Sequence, residues 1–269
     1  LWSLMSFANP GMLGSSPRFA ERYELPMASD AASPVAAELR ALVRPFLLRR
    51  TKADVLRELP PKTEIERRIP LRREGKRRYD ALAQELRAGL PRAPSPEDRA
   101  FAFSVFAALT RLRQMACDPR LLDPRLPPAA STKRDVFLEL VRELLAEGRR
   151  ALVFSQFVEL LGLWRRDLDA EGIAYEYLDG QTRDRDAAVR RFQEGNAPLF
   201  LISLKAGGAG LTLTAADTVI HCDPWWNPAV EDQATDRAHR LGQDKPVTVV
   251  KLIAQGTVEE KILALKEKK

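Results

Sequence analysis

From Ser131 onward the hydrophobic pattern switches between two periods. Val136, Leu140 and Leu144, flanked by Phe137, Val141 and Leu145, recur every three or four positions and predict a helix that Gly148 stops. Ala151 to Ser155 is a short apolar run of the kind a buried strand needs. A helical stripe of Leu160, Leu161, Leu163, Trp164 and Leu168 follows and ends at Gly172. The same reading predicts strands at 173–178, 199–203, 218–222 and 247–254, and helices at 184–194 and 228–241. Thr257 and Glu260 form a capping box that opens a last helix through Ile262 and Leu265. Strands alternating with helices predict right-handed crossovers and an open parallel sheet covered on both faces.

The first 130 residues lack this alternation. Pro10, Gly11, Gly14, Pro17 and Pro26 break the opening stretch into a short helix and loop. Ser33 and Pro34 cap and start a helix toward Arg50. Pro60 and Pro61 interrupt the chain, and residues 71–88 and 98–115 read as two helices joined by a Pro-rich linker at 91–96. A second Pro-rich linker spans Pro119 to Pro128. Leu1 to Met5 is apolar but lacks the basic residues and cleavage site of a leader, and reads as helix.

Charge adds one local feature. The 269 residues carry a formal net charge of +6, and the stretch from Arg40 to Arg78 alone holds 14 Lys/Arg against 5 Asp/Glu. Such a stretch suits a polyanion, or forms a solvated Arg-rich helical surface. Cys117 and Cys222 lie far apart, and with His221 and His239 they make no convincing zinc site. No apolar run reaches the ~18 residues of a membrane span.

In open α/β sheets, ligands sit at the carboxyl ends of the strands, and the loops there carry the candidate chemistry. After Ser203 come Lys205, Gly207, Gly208 and Gly210: a loop able to turn phosphate-binding N–H groups outward, or a tight turn and no more. Trp225 and Trp226 can stack on bases or, more simply, plug a gap between elements. Gln233, Arg237 and Arg240, spaced four and three apart, fall on one face of the expected 228–241 helix. Arginines so placed stabilise a transferring phosphoryl group, or form an exposed charged face with Glu231 and Asp236.

The ordered set decides between these alternatives. It comprises Phe-Ser-Gln-Phe at 154–157, Leu-Asp-Gly-Gln-Thr at 178–182, the glycine loop at 203–217, and Gln-Ala-Thr-Asp-Arg-Ala-His-Arg-Leu-Gly-Gln at 233–243. Together they resemble the C-terminal RecA-like lobe of superfamily-two helicase-like ATPases, and in particular their SWI/SNF branch. Asp-Pro-Trp-Trp-Asn at 223–227, Leu-Trp-Ser-Leu at 1–4, Pro-Phe-Leu-Leu-Arg-Arg-Thr-Lys at 45–52 and Leu-Pro-Pro-Lys at 59–62 are similar to that branch as well.

The resemblance implies a double-stranded DNA translocase that uses ATP and Mg2+ and remodels protein–DNA complexes. It implies closing helices of a first ATPase lobe and a linker at 1–61, a helical insertion at 62–130, and the second RecA-like lobe at 131–269. Ser155, Gln156, Thr182, Ser203 and Lys205 then face DNA. Gly207, Gly208, Gly210 and Thr212 couple to nucleotide, with Thr212 standing where the family often has Asn. Gln233, Arg237 and Arg240 form the last helicase motif, with the arginines as fingers. The chain contains no GxxxxGK[ST] loop and no Asp-Glu box. The family keeps both in the first lobe, so this part is expected to be inactive alone. Other partners expected are that first lobe and a DNA-bound complex such as RNA polymerase. The composition suggests a bacterial nucleoid rather than a nucleus. An RNA helicase lobe, or a non-catalytic DNA- or protein-binding module, is the alternative.

Overall fold

The computed structural model describes residues 1–30, 33–48, 59–90, 99–208 and 210–266. The chain forms two compact units, Leu1–Arg57 and Glu58–Lys269.

The first unit is helical. It contains α1 (Trp2–Ala8), α2 (Ser16–Phe19), a π-helical turn at Ala20–Glu24, α3 (Leu25–Ser29) and α4 (Pro34–Val43). Met5, Leu13, Phe19, Tyr23, Leu39 and Val43 form its small core. Trp2 Nε1 donates to the Gly14 carbonyl at 3.0 Å, tying α1 to the following loop. Ser33 caps α4 as expected, accepting from Val35 N at 3.4 Å. The helix ends at Val43 in a 3-10 turn, Arg44–Phe46, and the Arg-Arg-Thr-Lys part of the upstream motif lies outside the described residues.

The second unit holds a six-stranded sheet in which every pairing is parallel. Its order is β1 (Lys62–Ile69), β6 (Val247–Ala254), β5 (Thr218–His221), β2 (Ala151–Ser155), β4 (Leu199–Ser203), β3 (Tyr175–Leu178). Its helices are α5 (Arg73–Ala88), α6 (Arg99–Cys117), α7 (Thr132–Ala146), α8 (Val158–Ala170), α9 (Arg185–Glu194), α10 (Pro228–Thr235) and α11 (Val258–Lys266). The Pro-rich linker at 91–96 lies outside the described residues.

Successive strand residues face opposite sides, and the two cores follow from that. Ala151, Val153, Leu199, Leu201, Ile220, Val250 and Leu252 turn toward α7 and α8. Phe137 stacks on Trp164 there, with ring centroids 4.2 Å apart. Leu152, Phe154, Phe200, Ile202, Val219 and Val249 turn the other way, onto Phe192, Leu213 and Ala234. This two-faced burial is the physical reason the strands read as unbroken apolar runs.

Two elements depart from the sequence expectation. Lys62–Ile69 lies at the start of the segment expected to be a helical insertion, yet it is an edge strand paired with β6 over eight residues. It shows almost no alternation because seven of its eight residues are exposed or half-buried and five are charged. Glu64 bonds Lys62 at 2.7 Å and Lys251 of β6 at 2.6 Å. The helix expected to reach Leu241 ends at Thr235. The Arg237 carbonyl accepts from Leu213 N at 2.9 Å, and the Ala238 carbonyl accepts from the Gln243 side chain at 3.1 Å. Tertiary partners thus take acceptors that a longer helix would use internally.

The helices α5 and α6 are held to the sheet domain by several side chains. Val258 N donates to the Tyr79 hydroxyl at 2.7 Å, clipping α5 to the start of α11. Cys117 Sγ at the end of α6 lies 3.4 Å from Glu259 Oε1 of α11, and Arg113 of α6 belongs to the site below.

Candidate nucleic-acid and nucleotide interface at the strand ends

The chain leaves β2 toward β3 on one side, and β5 pairs on the other, so β2 marks the point where strand order reverses. That is where ligands bind in such sheets. Ser155 of β2 is in register with Ser203 of β4, and Leu178 of β3 with Ile202. The motifs after these three strands therefore lie side by side, as expected.

Their side chains are not equally available. Ser155 is buried, and its hydroxyl donates to Asp223 Oδ1 at 2.6 Å while accepting from Phe157 N at 3.0 Å. Ser203 is also buried, with its hydroxyl accepting from Ala206 N at 3.3 Å. The expectation that these two hydroxyls face DNA is not met here: both are committed to shaping the loops that follow. Thr182 is half-buried, its hydroxyl donating to Asp179 Oδ1 at 3.1 Å and accepting from Asp179 N at 3.0 Å. Gln156 is half-buried, like Thr182, with its amide nitrogen buried, and Lys205 is exposed.

Asp223, at the end of β5, was absent from the expected site and organises it. Burial pushes its carboxyl up, while Arg113 and the Ser155 hydroxyl pull it down. Arg113 Nη2 lies 3.3 Å from Asp223 Oδ2 and donates to the Pro224 carbonyl at 2.7 Å, and Nη1 donates to Gln156 Oε1 at 2.9 Å. The guanidinium lies 5.5 Å from the ring centroids of Phe157, Trp225 and Trp226. The paired tryptophans therefore pack against a buried cation, in keeping with the gap-filling alternative.

The glycine loop after β4 has two distinct glycine requirements. Ala206–Gly208 forms a 3-10 turn, and a Cβ on Gly207 would lie 2.9 Å from Phe154 Cε1. Gly207 is thus demanded by packing rather than by an exposed phosphate cradle. Gly210 has φ +30, where a side chain is strained, and Thr212 beside it is exposed. Behind this loop sit the arginines. Arg240 Nη1 donates to the Leu211 carbonyl at 3.3 Å. Arg237 is 7% exposed whereas Gln233 is exposed, so the shared helix face expected for the three is replaced by turns that direct Arg237 inward. Burial, and after it the charge of Arg240, lowers the Arg237 pKa against the pull of Asp236. A guanidinium whose charge is disfavoured by burial and by a neighbouring cation is one that an anion would relieve.

The basic stretch is largely neutralised where it is described. Arg67 pairs with Glu139, Arg68 with Glu66, Arg72 with Asp135, Lys76 with Asp80 and Arg78 with Glu74.

Comparison with known proteins places this geometry. A SNF2-related domain model matches residues 1–121, and a helicase conserved C-terminal domain model matches residues 132–242. The SWI2/SNF2 ATPase C-terminal domain of Sulfolobus solfataricus has 30% identity and a TM-score of 0.64, covering 77% of this chain and 87% of that one. The chain belongs to the SWI/SNF family of ATPases. The SWI2/SNF2 ATPase core of the same organism in complex with dsDNA has 33% identity and a TM-score of 0.66, covering all of this chain and 57% of that one. A putative ATP-dependent helicase/translocase of Bacillus subtilis, YwqA, is 40% identical over 278 residues, covering all of this chain and 30% of that protein. The chain spans less than a third of the curated SWI/SNF relatives it matches. Sequence reasoning missed Arg113 and Asp223 in this SWI/SNF lobe because each is one charge among many until the fold joins α6 to the ends of β2 and β5.

Proposed function

We propose that this chain is the C-terminal half of an ATP-dependent double-stranded DNA translocase that remodels protein–DNA complexes. The observation that carries the reading is the placement of Arg237 and Arg240 behind the loop that follows β4, with Arg240 bonded to the Leu211 carbonyl and the charge of Arg237 disfavoured by burial and by Arg240. Such a pair fits a phosphate brought by another lobe, where guanidinium groups stabilise the developing charge of phosphoryl transfer. ATP, with Mg2+, would be held mainly by the first lobe, since this sequence has no phosphate-binding loop. Arg237 and Arg240 would orient and neutralise the transferring phosphate, and Gly210 and Thr212 would approach the nucleotide. Gln156, Thr182 and Lys205 would face one DNA strand, with Ser155 and Ser203 shaping the loops beneath.

Unit 1 supports the assignment of residues 1–61 to the closing helices of that first lobe. Leu4, Phe7 and Leu25 are 75%, 91% and 67% exposed, which suits surfaces covered by further protein. A nucleoid setting, and a DNA-bound complex such as RNA polymerase as the remodelled target, belong to the same reading.

The test is DNA-stimulated hydrolysis. This chain alone should show no turnover above a heat-killed control, and the full-length protein should show it. Arg240→Ala in the full-length protein should lower turnover by about 10³-fold or more while ATP still binds. Loss of nucleotide binding with intact turnover per bound ATP would contradict the finger role. A strand-separation assay distinguishes translocation on duplex DNA from the RNA helicase alternative.

A further inference from the structure

Arg113 comes from α6, outside the sheet, and is 3% exposed. Its guanidinium reaches three groups on two different strand-end loops: Gln156 after β2, and Asp223 and Pro224 after β5. A guanidinium carries donors and no acceptor, so the atom of Gln156 facing it must be the carbonyl oxygen. The NH2 of that amide is thereby turned away from Arg113. Gln156 Nε2 is buried and finds no acceptor among the described residues, and neither does Arg113 Nε. Buried donors left unmade are costly, and a site tolerates them where a ligand supplies the acceptor.

The geometry points to Arg113 as a positioning residue that fixes the polarity of the Gln156 amide. With the oxygen held inward, Gln156 offers only a donor to whatever approaches the end of β2. A donor suits a phosphate oxygen, and an amide turned the other way would present a carbonyl and repel it. Asp223 anchors the same guanidinium from the opposite side while accepting from the Ser155 hydroxyl and from Gln156 N at 3.3 Å. One buried cation from the helical insertion thus sets the orientation of a side chain on the sheet rim. This inference rests on the reading of Gln156 as a DNA contact.

The experiment is a double-mutant cycle in the full-length protein, reading duplex affinity by anisotropy across a salt series. Gln156→Ala and Arg113→Met should each weaken binding by roughly tenfold to a hundredfold, the scale of one hydrogen bond to an ion. The double variant should be no weaker than either single variant, because Arg113 acts only through Gln156. The salt slope should not change in Arg113→Met, since a buried guanidinium releases no counterion. Arg113→Lys serves if the Met variant does not fold: one ammonium cannot span Asp223, Pro224 and Gln156 together, so it should show the same coupled loss. Additive losses, with Gln156→Ala still weakening binding, overturn the positioning role and leave the DNA reading intact. A slope reduced by about one unit in Arg113→Met makes Arg113 itself the phosphate contact and also overturns it. An unchanged affinity in Gln156→Ala overturns both the inference and the DNA contact it rests on.

Discussion

His221 shows how one buried side chain imposes a pH dependence. It is 2% exposed at the end of β5, and its Nε2 lies 3.0 Å from the Thr235 hydroxyl of α10. Burial, with smaller pushes from Lys251 and Lys266, lowers its pKa from 6.5 to about 4, against Glu231 and Glu64. Above pH 6.5 the ring is neutral in both folded and unfolded chains and contributes nothing. As pH falls below 6.5 the unfolded chain takes up a proton that the folded one refuses until about pH 4, so stability drops across that window. The drop should reach about 3 kcal/mol at pH 4, at roughly 1.4 kcal/mol per pH unit. Denaturation midpoints measured from pH 7.5 to 4 should therefore decline, and His221→Asn should flatten the decline whatever its own cost. An equal slope in the variant would show that the ring is not kept neutral. Glu64 acts in the next window down. Burial raises its pKa, but the ammonium groups of Lys251 and Lys62 outweigh this and hold it at about 2. Its contribution is present above its ordinary 4.5 and is lost as pH falls toward 2.

Among the elements, α7, β6 and α11 meet on a single buried ion pair. Lys133, in the first turn of α7, is 1% exposed, and its ammonium lies 2.7 and 2.8 Å from the two oxygens of Glu259 in α11. It also donates to the carbonyls of Cys222 at 2.9 Å and Leu252 at 3.1 Å, beyond the end of β5 and within β6. Glu259 in turn accepts from Ala254 N at 2.8 Å. The capping box that opens α11 is formed with one shift: Thr257 caps Glu259 N at 3.2 Å, and Glu260 accepts from Gly256 N at 2.9 Å rather than from the cap residue. Such a pair adds little stability over an apolar substitute, but removing one partner strands a buried charge. Lys133→Met should cost about 3–5 kcal/mol by chemical denaturation, and adding Glu259→Leu should recover part of it. A cost below about 1 kcal/mol would mean that water or another cation reaches Glu259.

For the whole molecule, the parallel register places the ends of β2, β4 and β3 in one row, and Lys205 is an exposed cation of that row. Non-specific duplex binding draws on phosphate neutralisation, and each neutralised phosphate adds about 0.9 to the salt slope. Lys205→Ala should therefore lower the slope of log affinity against log salt by about one, equally on two unrelated duplexes. Unchanged affinity and slope would leave the loop a nucleotide-coupling or turn element. The local ion pairs of Arg67, Arg68, Arg72, Lys76 and Arg78 argue against the basic stretch as the main DNA contact. A charge already paired with a carboxylate gains less from a phosphate.

The α/β class, five of the six strands and the order of the motifs at their ends are legible in the amino-acid sequence alone. Period-2 and period-3.6 burial is written directly in side-chain type, and a motif is a property of neighbours along the chain. The sequence did not reveal Lys62–Ile69 as a strand, because that edge is held by cross-strand ion pairs rather than by an apolar run. Nor did it show where α10 stops, since the carbonyls that end the helix are claimed by Leu213 and Gln243. Which motif residues reach the surface is set by burial in the fold. Ser155 and Ser203 share their motifs with Gln156 and Lys205, yet burial commits the first two to the loops and leaves Gln156 half-buried and Lys205 exposed. Arg113, Asp223 and Lys133 acquire their roles only when elements about 40 to 130 residues apart close around them, for a buried charge must find its partners in space.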